Sequence, residues 1–293
     1  MNAALHLAAT LVLCVAAAGP LARARWVWRA PRTGILLWQM LGLSWALSAV
    51  GLLLALGLAP YDAPIPIALG RWVDDAVRGD VTPLAVVVVL GLLSALDLAI
   101  GLLWTWGSVL RVRRRHRDVL ALVARRDDAA PGAFVLDHPH VVAYCVPGTR
   151  SAVVLSTGAL TALTRDQVDA VLGHEHAHGR ERHDLVLLPF SALCSVLPKV
   201  RLVRSVARAV ALLVEMRADE SASLRHGAQP LASALRRFGS ARPPEGALGA
   251  ADVAVAARLV RLAGLPPLPV ALRWFALVGG LVLVATPLSF LVW

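Results

Sequence analysis

Residues 164–179 read TRDQVDAVLGHEHAHG. Thr164 followed three residues later by Gln167 forms a capping box, which predicts a helix from about Arg165 to Gly179. The apolar residues of this stretch fall on one helix face, where they can pack on a core. The same helix carries the most informative polar pattern in the chain.

That pattern is HExxH, formed by His174, Glu175 and His178. On a helix the two outer histidines are one turn apart and share a face, so both imidazoles can reach one zinc ion. Glu175 lies beside them, where it can act on a water held by the metal. These residues predict a zinc site with Glu175 as its catalytic base.

A catalytic zinc site needs a third protein ligand and one open position. Glu215 is the best candidate, because it ends the apolar run 210–214 on a predicted helix. Asp219 lies one turn later and can accept a hydrogen bond from a ligand histidine, which fixes the tautomer of that ring. The set predicts peptide hydrolysis, in which zinc lowers the pKa of its water toward about 7 and Glu175 passes the proton to the leaving amine.

Other polar residues near the motif have less certain roles. His176 points to the opposite helix face, which favours solvent or packing over metal. For His183, a supporting role near the site and a plain polar pair with Asp184 are both open. Tyr144 and His226 are candidates for stabilising the oxyanion.

The composition of the whole chain argues against a purely soluble, disordered or disulfide-stapled protein. Of 293 residues, 58% are hydrophobic and 16% charged, whereas soluble domains are about 45–50% apolar and about 25% charged. Stretches long enough to cross the roughly 30 Å hydrocarbon layer as helices are 1–21, 35–59, 83–110 and 271–293.

Arginines orient these predicted spans. The connector after the first span holds four arginines and no acid, and five arginines follow the third span, at Arg111, Arg113, Arg114, Arg115 and Arg117. By the positive-inside rule both segments face the cytoplasm. We therefore expect a multi-pass protein of the inner or plasma membrane, with both chain ends outside and residues 111–270 in the cytoplasm.

The formal net charge of +10 has the same explanation. The basic residues lie beside apolar runs, so we expect contacts with membrane lipids and no direct binding of nucleic acid. Arg201, Arg204 and Arg208 form a basic stripe on a predicted helix. Anionic lipid head groups and an acidic substrate are both open as its partner.

Residues 111–270 predict an α+β domain. Short β-branched runs predict strands at Phe134–Leu136, Val141–Val146 and Ala152–Leu155. Further helices are expected at 185–197, 200–226 and 229–238, with a loop at 239–249. The predicted fold class is mainly α: a polytopic protein with about four transmembrane helices and a cytoplasmic α+β zinc metalloprotease domain.

Three further features carry hypotheses. Val141–Val146 or Ala152–Leu155 could pair with substrate backbone as an edge strand, or both could be ordinary core strands. The 13 residues of 185–197 are too few to span, so a core helix and a hairpin dipping into the membrane are both open. Asp97 lies mid-span, where an ionisable group needs a partner such as Ser94, Thr105 or another span.

HExxH followed by ExxxD, with AYCVPG at 143–148 and VVLSTGAL at 153–160, resembles the M56 membrane metallopeptidases. These form the peptidase part of the BlaR/MecR antibiotic sensor-transducers. The resemblance implies a gluzincin site with one Zn²⁺, in which His174, His178 and Glu215 are ligands, Glu175 is the base and Asp219 gives support. It also implies a protein substrate, with a transcriptional repressor of the BlaI/MecI type as the expected example.

Because the sequence stops directly after the last span, we do not expect a penicillin-sensor domain. The M48 group, which includes HtpX and the CAAX-prenyl protease, shares HExxH, ExxxD and several spans. It implies a membrane quality-control or processing protease instead. The 36 residues between His178 and Glu215 favour M56.

Two hypotheses come from other classes of protein. A catalytically silent membrane receptor has no chemical need for the intact Glu175. A small-molecule transporter fits poorly with a single buried acid, Asp97, and a large cytoplasmic insert.

Overall fold

The computed structural model describes residues 2–80, 82–126, 130–146, 151–240 and 248–292, and it is mainly helical. The α-helices are α1 (Asn2–Arg23), α2 (Pro31–Gly57), α3 (Ile65–Arg78), α4 (Ala85–Val123), α5 (Thr157–Ala162), α6 (Arg165–Arg180), α7 (His183–Val196), α8 (Arg201–His226), α9 (Ala228–Ser240), α10 (Leu248–Leu262) and α11 (Val270–Val292). The strands are β1 (Arg125–Arg126), β2 (Ala133–Leu136), β3 (Ala143–Val146) and β4 (Ala152–Ser156), and 3₁₀ turns cover Trp26–Arg29 and Ala59–Tyr61.

Four of the described helices are long and apolar enough to cross a membrane. These stretches are Ala3–Arg23, Pro31–Gly57, Ala85–Leu120 and Val270–Phe290. They fall on the four predicted spans and indicate a multi-pass membrane protein. α2 is central, because α1, α4 and α11 all pack on it. Gly57 permits close packing with α4, since a Cβ there would lie 2.6 Å from the backbone nitrogen of Val88, as small residues do between membrane helices.

α4 does not end with the predicted span at residue 110. Its 39 residues extend about 58 Å at 1.5 Å per residue, because no glycine or proline interrupts the arginine-rich continuation. This extension is anchored at two points. Arg113 Nη1 donates to Asp184 Oδ2 at 2.8 Å, and His116 Nε2 lies 2.9 Å from the hydroxyl of Tyr144 on β3.

Three of the described helices, α3, α5 and α10, are missing from the sequence prediction. Pro66 lies in the first turn of α3, where proline is tolerated, so it marks a helix start and not a loop. The predicted loop 239–249 is also wrong at its ends, because α9 reaches Ser240 and α10 begins at Leu248. The high helix propensity of alanine explains α10. Residues 241–247 lie outside the described residues.

The four strands form one sheet in the order β1-β2-β4-β3. β2 runs parallel to β4, and β3 runs antiparallel to β4. The three predicted strands are present, and only the two-residue β1 was not foreseen. Because β4 has partners on both sides, Ala152–Leu155 cannot pair with substrate. β3 is an edge strand among the described strands, so the pairing hypothesis is left with Ala143–Val146.

Two buried clusters position α6 and α8. One joins α1, α2, α7, α8 and α10, and it contains Trp38, Leu213 and Met216. The other packs the sheet against α6 through Val135, Leu155 and other apolar residues. α6 and α8, which carry the predicted site residues, therefore meet between two cores.

α7 is a 14-residue apolar helix, too short to span a membrane. It packs on α4 and α8, with a smaller contact to α2. Gln39 of α2 donates to the carbonyl of Val186 at 2.8 Å. α7 therefore lies directly alongside two candidate spans.

Candidate metal centre

α6 brings the HExxH motif against α8. The backbone N–H of Thr164 donates to Gln167 Oε1 at 3.1 Å, as a capping box requires. Val168 and Val171 pack in the core on the sheet side, while the motif residues of the next turns face α8. Gly173 permits this close crossing, because a Cβ there would lie 2.7 Å from the ring of His226.

The structure brings the three predicted ligands together. His174 Nε2 and His178 Nε2 lie 3.1 Å apart. Glu215 Oε2 lies 3.4 Å from His174 Nε2, and Glu215 Oε1 lies 3.4 Å from His178 Nε2. In a tetrahedral zinc site with bonds of about 2.0–2.1 Å, ligand atoms are about 3.3–3.4 Å apart. The two nitrogens and the Glu215 carboxylate are therefore close enough together to hold one zinc ion. The Glu215 side chain is 36% exposed, so the site can be reached from outside.

Asp219 lies beside His174, the ligand histidine that the sequence analysis expects it to support. Asp219 Oδ1 lies 3.0 Å from His174 Nδ1, and both side chains are buried. A proton on Nδ1, assigned from this neighbour, leaves the Nε2 lone pair free to face His178 and Glu215.

The protonation states of the donors differ sharply. Burial lowers the pKa of His174, but its hydrogen bonds to Asp219 and Glu215 outweigh burial and raise that pKa to about 9. Burial lowers the pKa of His178 to about 4, against the attraction of Glu215. Burial raises the pKa of Glu215, but the His174 hydrogen bond and the Arg258 charge bring it to about 2. At pH 7 the metal-free site therefore holds one protonated imidazole.

Arg258 of α10 is the main site residue that sequence reasoning missed. It binds both oxygens of Asp219, at 2.8 and 2.7 Å, and its Nη1 lies 2.9 Å from Glu215 Oε2. Its side chain is only 11% exposed. No sequence signal connects Arg258 with Asp219, because 39 residues separate them and the predicted helices did not include α10.

His183 has the supporting position that the sequence left open. Its Nδ1 lies 3.0 Å from Nδ1 of His178, and its Nε2 lies 3.7 Å from Glu181 Oε2. Arg217 in turn donates to Glu181 at 2.8 Å. A proton on His178 Nδ1, donated to His183, leaves His178 Nε2 free to face His174. Asp184 pairs with Arg113 instead.

Glu175 lies between α6 and the edge strand β3. The backbone N–H of Cys145 donates to its carboxylate. Burial raises the pKa of Glu175, and the nearby charge of His174 opposes this shift. A carboxyl group with a raised pKa suits a group that must accept and then return a proton.

The remaining predicted residues lie elsewhere. The Tyr144 hydroxyl is engaged by His116, and His226 packs against Gly173. His176 is exposed and lines, with His226, a cleft of about 520 Å³ to which none of the three metal-site residues contributes. Neither Tyr144 nor His226 therefore has support as the oxyanion-stabilising residue.

The segment that holds the predicted site residues is similar to a known protein family. Residues 110–245 match the model of Peptidase family M48. The match covers just under half of the chain and includes every predicted site residue, whereas Arg258 lies beyond it. The match and the four apolar helices together indicate a membrane-associated metallopeptidase. No solved structure matches the chain significantly.

The M48 match corrects the expectation of an M56 peptidase, which is wrong. HExxH and ExxxD are common to both families, so the motifs do not discriminate between them. The 36 residues between His178 and Glu215 contain α7 and the first half of α8, and this length misled the assignment. The prediction of a repressor substrate was drawn from M56 and loses that support.

Proposed function

We propose that this chain is an integral-membrane zinc endopeptidase of the M48 kind, which processes or degrades membrane-associated proteins. The observation that carries the proposal is the convergence of His174, His178 and Glu215 on one point beside Glu175. The Nδ1 atom of each histidine also has a partner on the side away from the site, Asp219 for His174 and His183 for His178. Such outer contacts are typical of metal ligands.

One Zn²⁺ is the ion that this donor set suits best, because two imidazoles and a carboxylate with an open position are the ligands of catalytic zinc. When bound, zinc supplies a Lewis acid and lowers the pKa of water. The residues of the chain transfer the proton and orient the two imidazoles. Glu175 is placed to accept a proton from the attacking water and to return it to the leaving amine. Asp219 and His183 keep the two imidazoles in the tautomer that faces the site.

β3 is the proposed docking strand for a protein substrate. The carbonyl of Val142 accepts from Ser156 of β4 at 2.9 Å. Since backbone groups alternate sides along a strand, Ala143 and Cys145 direct theirs away from β4. The Cys145 N–H already reaches Glu175. An extended substrate paired with this edge would lie beside the catalytic base.

The arginine distribution supports a cytoplasmic site. Arg111, Arg113 and their neighbours lie on the extension of α4 that carries the site end of the molecule. By the positive-inside rule this end faces the cytoplasm, with both chain ends outside and lipid head groups near the basic helices.

Substitution of Glu175 tests the proposal. Full-length protein in detergent should bind about one zinc per chain as wild type, Glu175→Gln and His176→Gln. Wild type should cleave casein, an unfolded soluble protein, and Glu175→Gln should be slower by about 10²- to 10⁴-fold. His176→Gln is the matched control, since His176 lies within the same motif on the exposed face.

Two results would contradict the proposal. Equal cleavage by Glu175→Gln and wild type would remove Glu175 from the reaction. Zinc binding without cleavage by wild type would favour the silent receptor.

A further inference from the structure

α4 presents one face that no other described element covers. α4 packs mainly on α2 and α7. Its inner residues Leu98, Gly101 and Leu102 line an apolar cavity of about 550 Å³ with those helices and α11. The exposed face consists of large apolar residues, including Val86, Leu93, Leu96, Ile100, Leu103 and Trp104.

Asp97 lies in the middle of this exposed face. It is itself exposed, and it has no hydrogen bond or ion pair with any residue that the structure describes. The expected partners are occupied, because Ser94 donates to the carbonyl of Leu90 and Thr105 to that of Gly101. The sequence prediction of a partner within this chain is therefore wrong for the described residues. An ionisable group at the centre of a bilayer is costly and needs a partner.

A second copy of this chain does not supply that partner. The arginines in the candidate spans lie near their ends, at Arg23, Arg32, Arg273 and the five arginines between Arg111 and Arg117. None of the spans offers a cation at the depth of Asp97. Pairing of two α4 helices would bring two carboxylates together in a medium of low dielectric constant, which is unfavourable.

The same helix leads from Asp97 to the candidate site. α4 continues without a break to Val123. Along this extension Arg113 binds Asp184 at the start of α7, and His116 contacts Tyr144 of β3. A transmembrane helix lying along α4 would leave the bilayer at the end of the molecule that holds the candidate site.

We propose that the exposed face of α4 docks the transmembrane helix of another protein, through an arginine or lysine that pairs with Asp97 at mid-membrane. That this partner is also the substrate rests on the proposed function. A basic side chain in a membrane helix carries the same cost as Asp97, and pairing removes both costs. The docked helix then brings its juxtamembrane segment to the end of the molecule that holds the candidate site.

A synthetic membrane-spanning peptide tests the docking directly. The probe is an alternating Leu-Ala helix of about 20 residues with one central arginine, and the control probe has leucine at that position. Binding is measured by energy transfer in phosphatidylcholine vesicles that contain full-length Glu175→Gln protein. We expect the arginine probe to bind about tenfold more tightly than the leucine probe.

Two variants locate the effect on α4. Asp97→Leu should abolish the preference for the arginine probe, and it places an apolar residue in lipid, so folding is not at risk. Leu103→Ala trims the same face but keeps Asp97, so the preference should persist. Equal binding of the two probes, or a preference unchanged by Asp97→Leu, would overturn the proposal. Self-association that depends on Asp97, without preferential probe binding, would assign the face to a second copy instead.

Docking and catalysis fail separately in this design. Probe binding is measured with Glu175 replaced, so it does not depend on peptidase activity. Cleavage of soluble casein by wild-type protein does not depend on Asp97. Probe binding without casein cleavage would leave a docking protein that is not a peptidase, and the reverse would leave a peptidase without this docking face.

Discussion

Replacement of Arg258 by methionine should destabilise the metal-free protein more than the zinc-loaded protein. Arg258 makes three contacts of 2.7 to 2.9 Å with Asp219 and Glu215. Methionine keeps an unbranched apolar stem but leaves both carboxylates without their cation. Glu215 would then rely on the protonated His174 alone.

The magnitude follows from the burial of this cluster. Removing one partner of a buried ion pair costs about 3–5 kcal/mol. At about 2–4 °C per kcal/mol for a large domain, the metal-free Tm should fall by about 6–20 °C. In the zinc-loaded variant the metal supplies positive charge to Glu215, so Asp219 is the only one of the two carboxylates that loses its cation. The fall should then be about half as large.

Arg261→Met is the matched control. Arg261 lies one turn later on α10, is 12% exposed, and pairs with Glu220 at 3.2 Å. It does not contact Glu215 or Asp219 in the described structure, so its replacement should lower Tm equally with and without zinc. The assay is thermal unfolding in detergent after chelation and after zinc reloading. The reasoning is refuted if Arg258→Met lowers Tm equally in both states.

Two further predictions concern the imidazoles. Zinc binding at pH 7 should release about one proton, because His174, with a pKa raised to about 9, is protonated while His178 and Glu215 are already deprotonated. Zinc affinity should rise about tenfold per pH unit up to about pH 9. Calorimetry in buffers of different ionisation enthalpy counts the protons released, and release of two protons would contradict these pKa directions. The Asp219→Asn variant should release fewer protons than wild type. The His183→Phe variant should bind zinc about 10- to 100-fold more weakly in a competition titration, because His178 Nδ1 loses its partner. The His183→Asn variant can still accept a hydrogen bond and should recover much of the affinity. Equal zinc affinity of His183→Phe and wild type would exclude the supporting role of His183.

The raised pKa of His174 also affects folding stability. Its contribution in the metal-free protein is fully present below the unfolded pKa of about 6.5 and is lost as the pH rises through about 9. The carboxylate of Asp219 underlies this effect, because it favours the protonated ring. Zinc removes the dependence by replacing the proton.

Local sequence patterns predicted most helices and strands of this protein. They did not predict contacts between residues that are far apart in the chain. The capping box at Thr164 and the apolar runs placed α6, α8 and the four candidate spans to within a few residues, except that α4 continues to Val123. Helices α3, α5 and α10 were missed, and each has a proline or glycine as its second residue, namely Pro66, Gly158 and Gly249. The family assignment failed because shared motifs do not distinguish families that use the same metal chemistry.

The amino-acid sequence by itself determined which residues share a helix face and which segments suit a bilayer, because both depend on spacing and composition along a single element. Helix spacing alone grouped His174, Glu175 and His178 on one predicted helix, and Glu215 and Asp219 on another. Only the tertiary structure decided that Arg258 and His183 lie at the candidate site, that β3 and not β4 lies at an edge of the described sheet, and that Asp97 faces outward. These properties depend on how elements far apart in the chain cross, which no local period encodes.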